Sequence, residues 1–307
     1  INLLLSKIFK ISISDLYFFQ RNEVMNNEVN IIGQLVQDKI HINNQVFTRI
    51  GGTAFYSSII YLLPNLKTKI HTSTNLNIKK KFKQLFKSRI KITNRLTKNV
   101  TTFNLFYKNK NLENREIYIA FNKAPISYKP KNPSIIHFGP LIYKDITLDA
   151  YNNLNQISCL KIIDIQGLVR NEKNGKIIEY KDKQILKLIS KFNILKANKN
   201  ELKILSSILN KNKTQTLKKL FSIGIKEILE TNGQKGSYIY TMSKKIFIPA
   251  FLMVKQKDTT GCGDIYAAMY ALFRHNKIDL YKSGLAASKV AGFRTSMQNI
   301  SINRIKH

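Results

Sequence analysis

Short apolar runs that stop at a glycine or a polar residue recur along this chain and set its fold. They include Val29-Asn-Ile-Ile-Gly33, Ser134-Ile-Ile-His-Phe-Gly139, Leu160-Lys-Ile-Ile-Asp164, Phe192-Asn-Ile-Leu-Lys196 and the run 226–231. Runs of this length, rich in isoleucine, are what strands buried on both faces require. Helical stretches lie among them, such as 53–63, closed by Pro64, and the small-residue stretch 285–292. A chain that alternates strand and helix in this way folds as a mostly parallel sheet with helices on both faces. Ligands of such sheets bind beyond the strand carboxyl ends, which puts Asp164, Gln166, Gly167 and Arg170 on the active edge.

The stretch 258–264 reads Asp-Thr-Thr-Gly-Cys-Gly-Asp and runs straight into a helix. Gly261 and Gly263 can take positive φ and bring bare backbone against a ligand, while Ala267, Ala268, Ala271 and Leu272 supply an apolar face behind them. A glycine loop entering a helix N-terminus offers N–H donors and a partial positive charge, which suits a phosphate or an oxyanion. Asp264 stands at the mouth of that loop. A carboxylate there either caps the helix or takes the proton of a hydroxyl that attacks phosphorus. The full string resembles the Asp-Thr-x-Gly-Ala-Gly-Asp signature of the ribokinase-like, or PfkB-type, carbohydrate kinases. Cys262 stands where alanine is usual. Cysteine is small enough for a tight loop, and it places a thiol beside the nucleotide.

The resemblance runs from about residue 29 to about residue 294. It implies a three-layer α/β/α ribokinase-like fold with a mostly parallel sheet and a small β-sheet lid built from segments near 36–50 and 100–121. The activity it implies is transfer of the γ-phosphoryl group of ATP, with Mg²⁺, to a hydroxyl of a small sugar, polyol or cyclitol. Asp264 would be the catalytic base, and the amides of Gly261, Cys262 and Gly263 would stabilise the transferring charge. A lid has a physical reason, because closure over the acceptor protects ATP from water.

Weaker motifs follow the family's order, and each has a second reading. Asp38 is a ligand for substrate hydroxyls or a surface carboxylate. Gly51 and Gly52 mark backbone lying against the substrate or an ordinary strand-to-helix turn. Arg170, in a string similar to one found in plant myo-inositol kinases, clamps an anionic group or pairs with Asp164. Asn198-x-x-Glu201 matches a motif linked to Mg²⁺ and phosphate, the metal being held indirectly through water, and equally matches a capping box. Thr231, Gly233 and Gly236 match a Thr-x-Gly-x-x-Gly turn near the nucleotide, or form a plain hairpin turn. Thr260 joins the nucleotide-binding set through the signature loop.

The formal net charge of +33 would ordinarily point to nucleic acid or an anionic membrane. Here only nine of the 51 basic residues are arginine, and the lysines are interleaved with Asn and Ile throughout. That pattern reads as a composition-wide bias, so no specific nucleic-acid partner is expected, and no membrane span either, since no apolar run is long enough. Cys159 and Cys262 lie outside any metal-ligand spacing, which suits a reducing cytoplasm. Residues 1–24 precede the first methionine, Met25, and read as an extension outside a kinase domain spanning 25–307, or as a targeting segment. A homodimer through the lid is the assembly that the resemblance suggests. The rival functions are a nucleoside kinase of the same fold and a kinase-like binding protein that has lost catalysis.

Overall fold

The computed structural model describes residues 28–42, 45–63, 66–86, 89–107, 115–254 and 258–296. The extension 1–24, Pro64 and the turn 108–114 lie outside those residues. In chain order the strands and helices are β1 (Glu28–Gly33), β2 (Val36–Ile42), β3 (Gln45–Gly51), α1 (Thr53–Tyr61), β4 (Lys67–Thr74), α2 (Leu76–Phe86), β5 (Ile90–Leu96), β6 (Thr102–Tyr107), β7 (Arg115–Ala120), β8 (Ile135–Gly139), α3 (Leu148–Asn152) and β9 (Leu160–Asp164). They continue with β10 (Arg170–Lys173), β11 (Lys176–Glu179), α4 (Ile185–Ile189), β12 (Ile194–Asn198), α5 (Lys199–Leu209), α6 (Lys213–Ser222), β13 (Glu227–Thr231), β14 (Ser237–Tyr240), β15 (Lys245–Ile248), α7 (Cys262–His275) and α8 (Leu280–Ser296).

The fold is α/β, as the strand and helix alternation requires. A nine-stranded sheet runs β15-β14-β13-β12-β9-β8-β1-β4-β5. It is parallel from β13 to β5, and β14 and β15 are antiparallel additions at one edge. Side chains alternate between its faces. Val29, Ile31 and Ile135 join a core with α1, α2, α7 and α8, whereas Ile32, Ile136 and Phe138 join a second core with α3 to α6. Each fully buried side chain of this size stabilises the fold by about 1.5–3 kcal/mol. Helix α7 is buried from Ile265 to Leu272, which explains its run of small and apolar residues.

The chain leaves β1 toward β4 and β5 on one side and returns to β8 and β9 on the other. The crevice between β1 and β8 is therefore the topological switch point, where open α/β sheets bind ligands. Both strands end there in glycine, Gly33 paired with Gly139.

A second sheet of six strands, in the order β10-β11-β7-β6-β2-β3, stands over that end of the molecule. Its members come from separate insertions, β2–β3 between β1 and α1, β6–β7 between β5 and β8, and β10–β11 after β9. The segments 36–50 and 100–121 were expected in it. The hairpin β10–β11 was not, and Arg170 opens that hairpin.

Candidate active site

The loop 258–261 is shaped from within. Asp258 Oδ1 accepts from the Thr260 amide at 2.9 Å, a short turn that delivers Gly261 at φ 80° as the residue capping α7. A Cβ on Gly261 would fall about 2.4 Å from the Tyr56 ring of α1, so that position needs glycine both for its backbone and for space. Gly263 differs from expectation. It lies inside the first turn of α7, outside the positive-φ glycines, and a Cβ there would meet Lys196 Nζ at 3.0 Å. Its requirement is room beside a cation, not an unusual backbone.

As first-turn donors, the amides of Gly263 and Asp264 have no carbonyl one turn earlier to bond. The Cys262 amide donates to the Thr259 carbonyl at 3.3 Å, so it must give up that contact to serve an anion. The Cys262 thiol packs against α8, its Sγ lying 3.4 Å from the Ala291 carbonyl.

Asp264 is half-buried at the start of α7. Its Oδ1 accepts from Thr53 Oγ1 at 2.7 Å. Thr53 opens α1 directly after Gly52, whose φ of 90° turns the chain out of β3. The strand-end glycines make space for Thr53, since a Cβ on Gly139 would lie 2.0 Å from its Cγ2. Sequence features far apart in the chain thus fix one carboxylate at the switch point. Burial pushes the Asp264 carboxyl up to about 7, and the nearby Asp164 charge adds to the rise. The Thr53 hydrogen bond and Lys196 oppose it. A carboxyl poised there is suited to accept a proton at neutral pH.

Lys196 supplies the cation of this centre. It sits at 4% exposure on β12, with Nζ 2.7 Å from Asp164 Oδ2 and 3.9 Å from Glu201 Oε2. Burial disfavours its charge, and the Asp164 and Glu201 carboxylates more than restore it. Asn198 and Glu201 form the capping box of α5, Asn198 Oδ1 accepting from the Glu201 amide at 2.9 Å and Glu201 Oε2 from the Asn198 amide at 2.6 Å. Burial raises the Glu201 carboxyl against the pull of Lys196. Its other oxygen, Oε1, is buried with no hydrogen-bond partner among the described residues. Hard oxygen donors of this kind fit Mg²⁺ held through its own waters. Among the described residues no group of three His, Cys, Asp or Glu side chains is placed to hold a metal ion.

A cavity of about 290 Å³ opens beside the loop. Its lining includes Thr231, Gly233 and Gly236, the loop residues Cys262 and Gly263, and Phe251, Ser288 and Gly292. A Cβ on Gly292 would strike the Phe251 carbonyl at 2.1 Å, so glycine lets the strand-to-loop segment close down on α8.

The structure therefore gathers Asp264 and 261–263 with the cavity residues Thr231, Gly233 and Gly236. Thr259 lines the cavity wall, whereas the Thr260 amide serves Asp258. Asp38 lies on β2 at 3% exposure, close enough to Gly51 that a Cβ there would fall 2.5 Å from its Oδ2. Arg49 Nε donates to that same oxygen at 3.2 Å. Gly52 is needed for its turn, where a Cβ would meet the Gln34 carbonyl at 2.2 Å. Asp164 is held by Lys196, and with its amide oriented to suit its neighbours Gln166 accepts from Arg170 at 3.0 and 3.3 Å. Thr53, Lys196 and Arg49 were not singled out in the sequence. Lys196 had a signal, since a lysine inside a buried apolar strand requires a partner.

Residues 95–303 match the pfkB family carbohydrate kinases. A nucleoside kinase of Methanocaldococcus jannaschii is 30% identical over 191 residues, which is 62% of this chain and 60% of that relative's length. A pyrophosphate-dependent kinase in the ribokinase family, complexed with a pyrophosphate analog and myo-inositol, superposes with a TM-score of 0.71 at 19% identity, over 87% of this chain and 94% of that one. Arabidopsis thaliana ribokinase complexed with ribose and ATP gives a TM-score of 0.70 at 15% identity, over 91% and 95%.

Proposed function

This chain belongs to the pfkB family of carbohydrate kinases, and on that premise we propose that it transfers the γ-phosphoryl group of ATP to a hydroxyl of a small sugar, polyol or cyclitol. The observation that carries the reading is Asp264, a carboxylate raised to about 7 and oriented by Thr53 at the mouth of an anion-binding helix terminus. Asp264 takes the proton of the acceptor hydroxyl as it attacks phosphorus. The first-turn amides of α7 and Lys196 face the charge that develops on the transferring oxygens. Mg²⁺, when bound, neutralises phosphate charge, and Glu201 with Asp164 would hold its water shell.

ATP is favoured as donor because the cavity beside the loop is lined also by Ala250, Phe251 and Leu252, apolar contact that phosphates alone would not use. The second sheet, with Asp38 and Gly51 turned toward the loop, serves as the lid over the acceptor. A nucleoside acceptor is the second reading, favoured by the match to the Methanocaldococcus jannaschii nucleoside kinase.

The test is an assay of donor consumption with ribose, myo-inositol and inosine as acceptors, each with ATP and with pyrophosphate. Turnover with ATP and ribose or myo-inositol is expected. Turnover with inosine alone moves the acceptor to nucleosides. Turnover with pyrophosphate alone overturns the donor.

A further inference from the structure

A chain of alternating charges ties the second sheet to the anion loop. Arg49 projects from β3 with its side chain at 8% exposure. Its Nε donates to Asp38 Oδ2 on the neighbouring strand at 3.2 Å, and its Nη1 donates to Asp258 Oδ2 at the foot of the loop. Asp258 Oδ2 also receives Arg294 Nη2 from α8, and the Asp258 amide donates to the Thr295 carbonyl at 3.1 Å. Burial works against ionisation of Asp258, yet Arg294 and Arg49 hold its carboxyl down at about 2. It stays a carboxylate at any ordinary pH.

The two oxygens of Asp258 have separate tasks. Oδ1 holds the Thr260 amide and so fixes the turn that puts Gly261 in the left-handed region. Oδ2 is the anchor for both guanidinium groups. A planar guanidinium can span two carboxylates at fixed separation, which a lysine ammonium cannot. The position of β3 is therefore passed to the loop through one rigid fork.

We propose that Arg49 is a positioning residue that couples donor-phosphate binding at the loop 258–263 to the placement of strands β2 and β3. The inference rests on the kinase reading of the site. Donor phosphates that settle on the loop fix Asp258, Asp258 fixes Arg49, and Arg49 draws β2 and β3 into one register with the site. Loss of the fork leaves the phosphate-facing turn of the loop unsupported.

The test separates binding of the nucleoside from binding of the phosphates. Adenosine carries no phosphate to place on the loop amides, whereas a non-hydrolysable ATP analogue with Mg²⁺ carries its phosphates to them. Arg49→Lys is expected to bind adenosine within about twofold of wild type and the analogue about tenfold more weakly, the loss of one charge-assisted hydrogen bond. Hydrogen exchange supplies the other arm. Amides of β2 and β3 should gain protection when the analogue is added to wild type, and this gain should be absent in Arg49→Lys. Asp38→Asn keeps the Asp258 end of the fork, so it should retain analogue affinity within about twofold and still lose the gain in protection. Equal weakening of both ligands in Arg49→Lys, or an unchanged gain in protection, overturns the proposal while leaving the kinase reading in place. Wild type that binds neither ligand takes down the donor reading and this inference with it.

Discussion

Asp264 is asked to be a base, and its surroundings set the pH at which it can act. With its carboxyl at about 7, kcat/KM should rise with pH through that value and flatten above it. Asp264→Asn keeps the size and can still accept from Thr53, so turnover should fall at least about 100-fold while donor affinity changes little. The same substitution should reveal a stability effect of opposite sign. A carboxyl whose pKa is higher folded than unfolded stabilises the fold fully below its unfolded value of about 3.9, and that contribution is lost as pH rises through 7. The Asn variant should therefore melt above wild type at pH 8, and the gap should close toward pH 4. Melting curves across that range check it, and a variant less stable than wild type at pH 8 would contradict the burial argument.

Thr53→Val removes a hydrogen bond to the charged form of Asp264 with almost no change of shape. The acid limb of kcat/KM should move up by about one pH unit, equivalent to a hydrogen bond of about 1–1.5 kcal/mol, with KM for the donor unmoved. At this scale the sequence was partly legible. Asp264 and Gly261 stood out because their neighbours in the chain define their use. Thr53, Lys196 and Arg49 did not, because each takes its meaning from partners far away in sequence, Asp264, Asp164 and Asp258 respectively.

At the scale of elements, the loop and α7 distinguish the two glycines of the signature. Gly261→Ala forces a side chain into the left-handed region and into the Tyr56 ring, two costs of about 1–2 and 1–3 kcal/mol. A lowered melting temperature and lost binding of an ATP analogue are expected together. Gly263→Ala sits in a helical turn where alanine is the better residue, and the atom it meets is the far end of a lysine. Stability should hold within about 1 kcal/mol, and analogue affinity should fall because Lys196 is displaced. Calorimetry with titration of the analogue distinguishes the two outcomes.

The central strands could be read directly, since their burial on both faces calls for mostly aliphatic residues. The capping box of α5 was legible as well, through the spacing of Asn198 and Glu201. The hairpin β10–β11 was not. Its first strand reads Arg-Asn-Glu-Lys, with no apolar alternation, and its membership in the second sheet depends on a pairing with β7 that local sequence does not encode.

For the whole molecule, the excess of positive charge should show itself as non-specific attraction. Binding to DNA or RNA is expected to lack sequence preference and to weaken steeply between low and physiological salt. Filter binding with unrelated sequences at two salt concentrations checks this, and a sequence-selective complex that survives at physiological salt would reverse the reading. Among the described residues no helix is long and apolar enough to cross a membrane.

The second sheet has a consequence for the order of assembly. Its pairings join β2 to β6 and β7 to β11, strands whose contacts span long stretches of intervening chain. Each such pairing carries a loop-closure cost that must be met before its hydrogen bonds form. The nine-stranded sheet contains β4, β5, β8 and β9, which lie between them in the chain, and shortens those loops once it exists. Pulse-labelled hydrogen exchange during refolding should therefore find β1, β8, β9 and β12 protected first, and β2, β6 and β11 last. Kinetically, the molecule acquires its core before it acquires the second sheet, which on the proposed reading closes over the acceptor. A variant that slows formation of the second sheet would yield a population with native helical signal, a native core and no competence to bind acceptor.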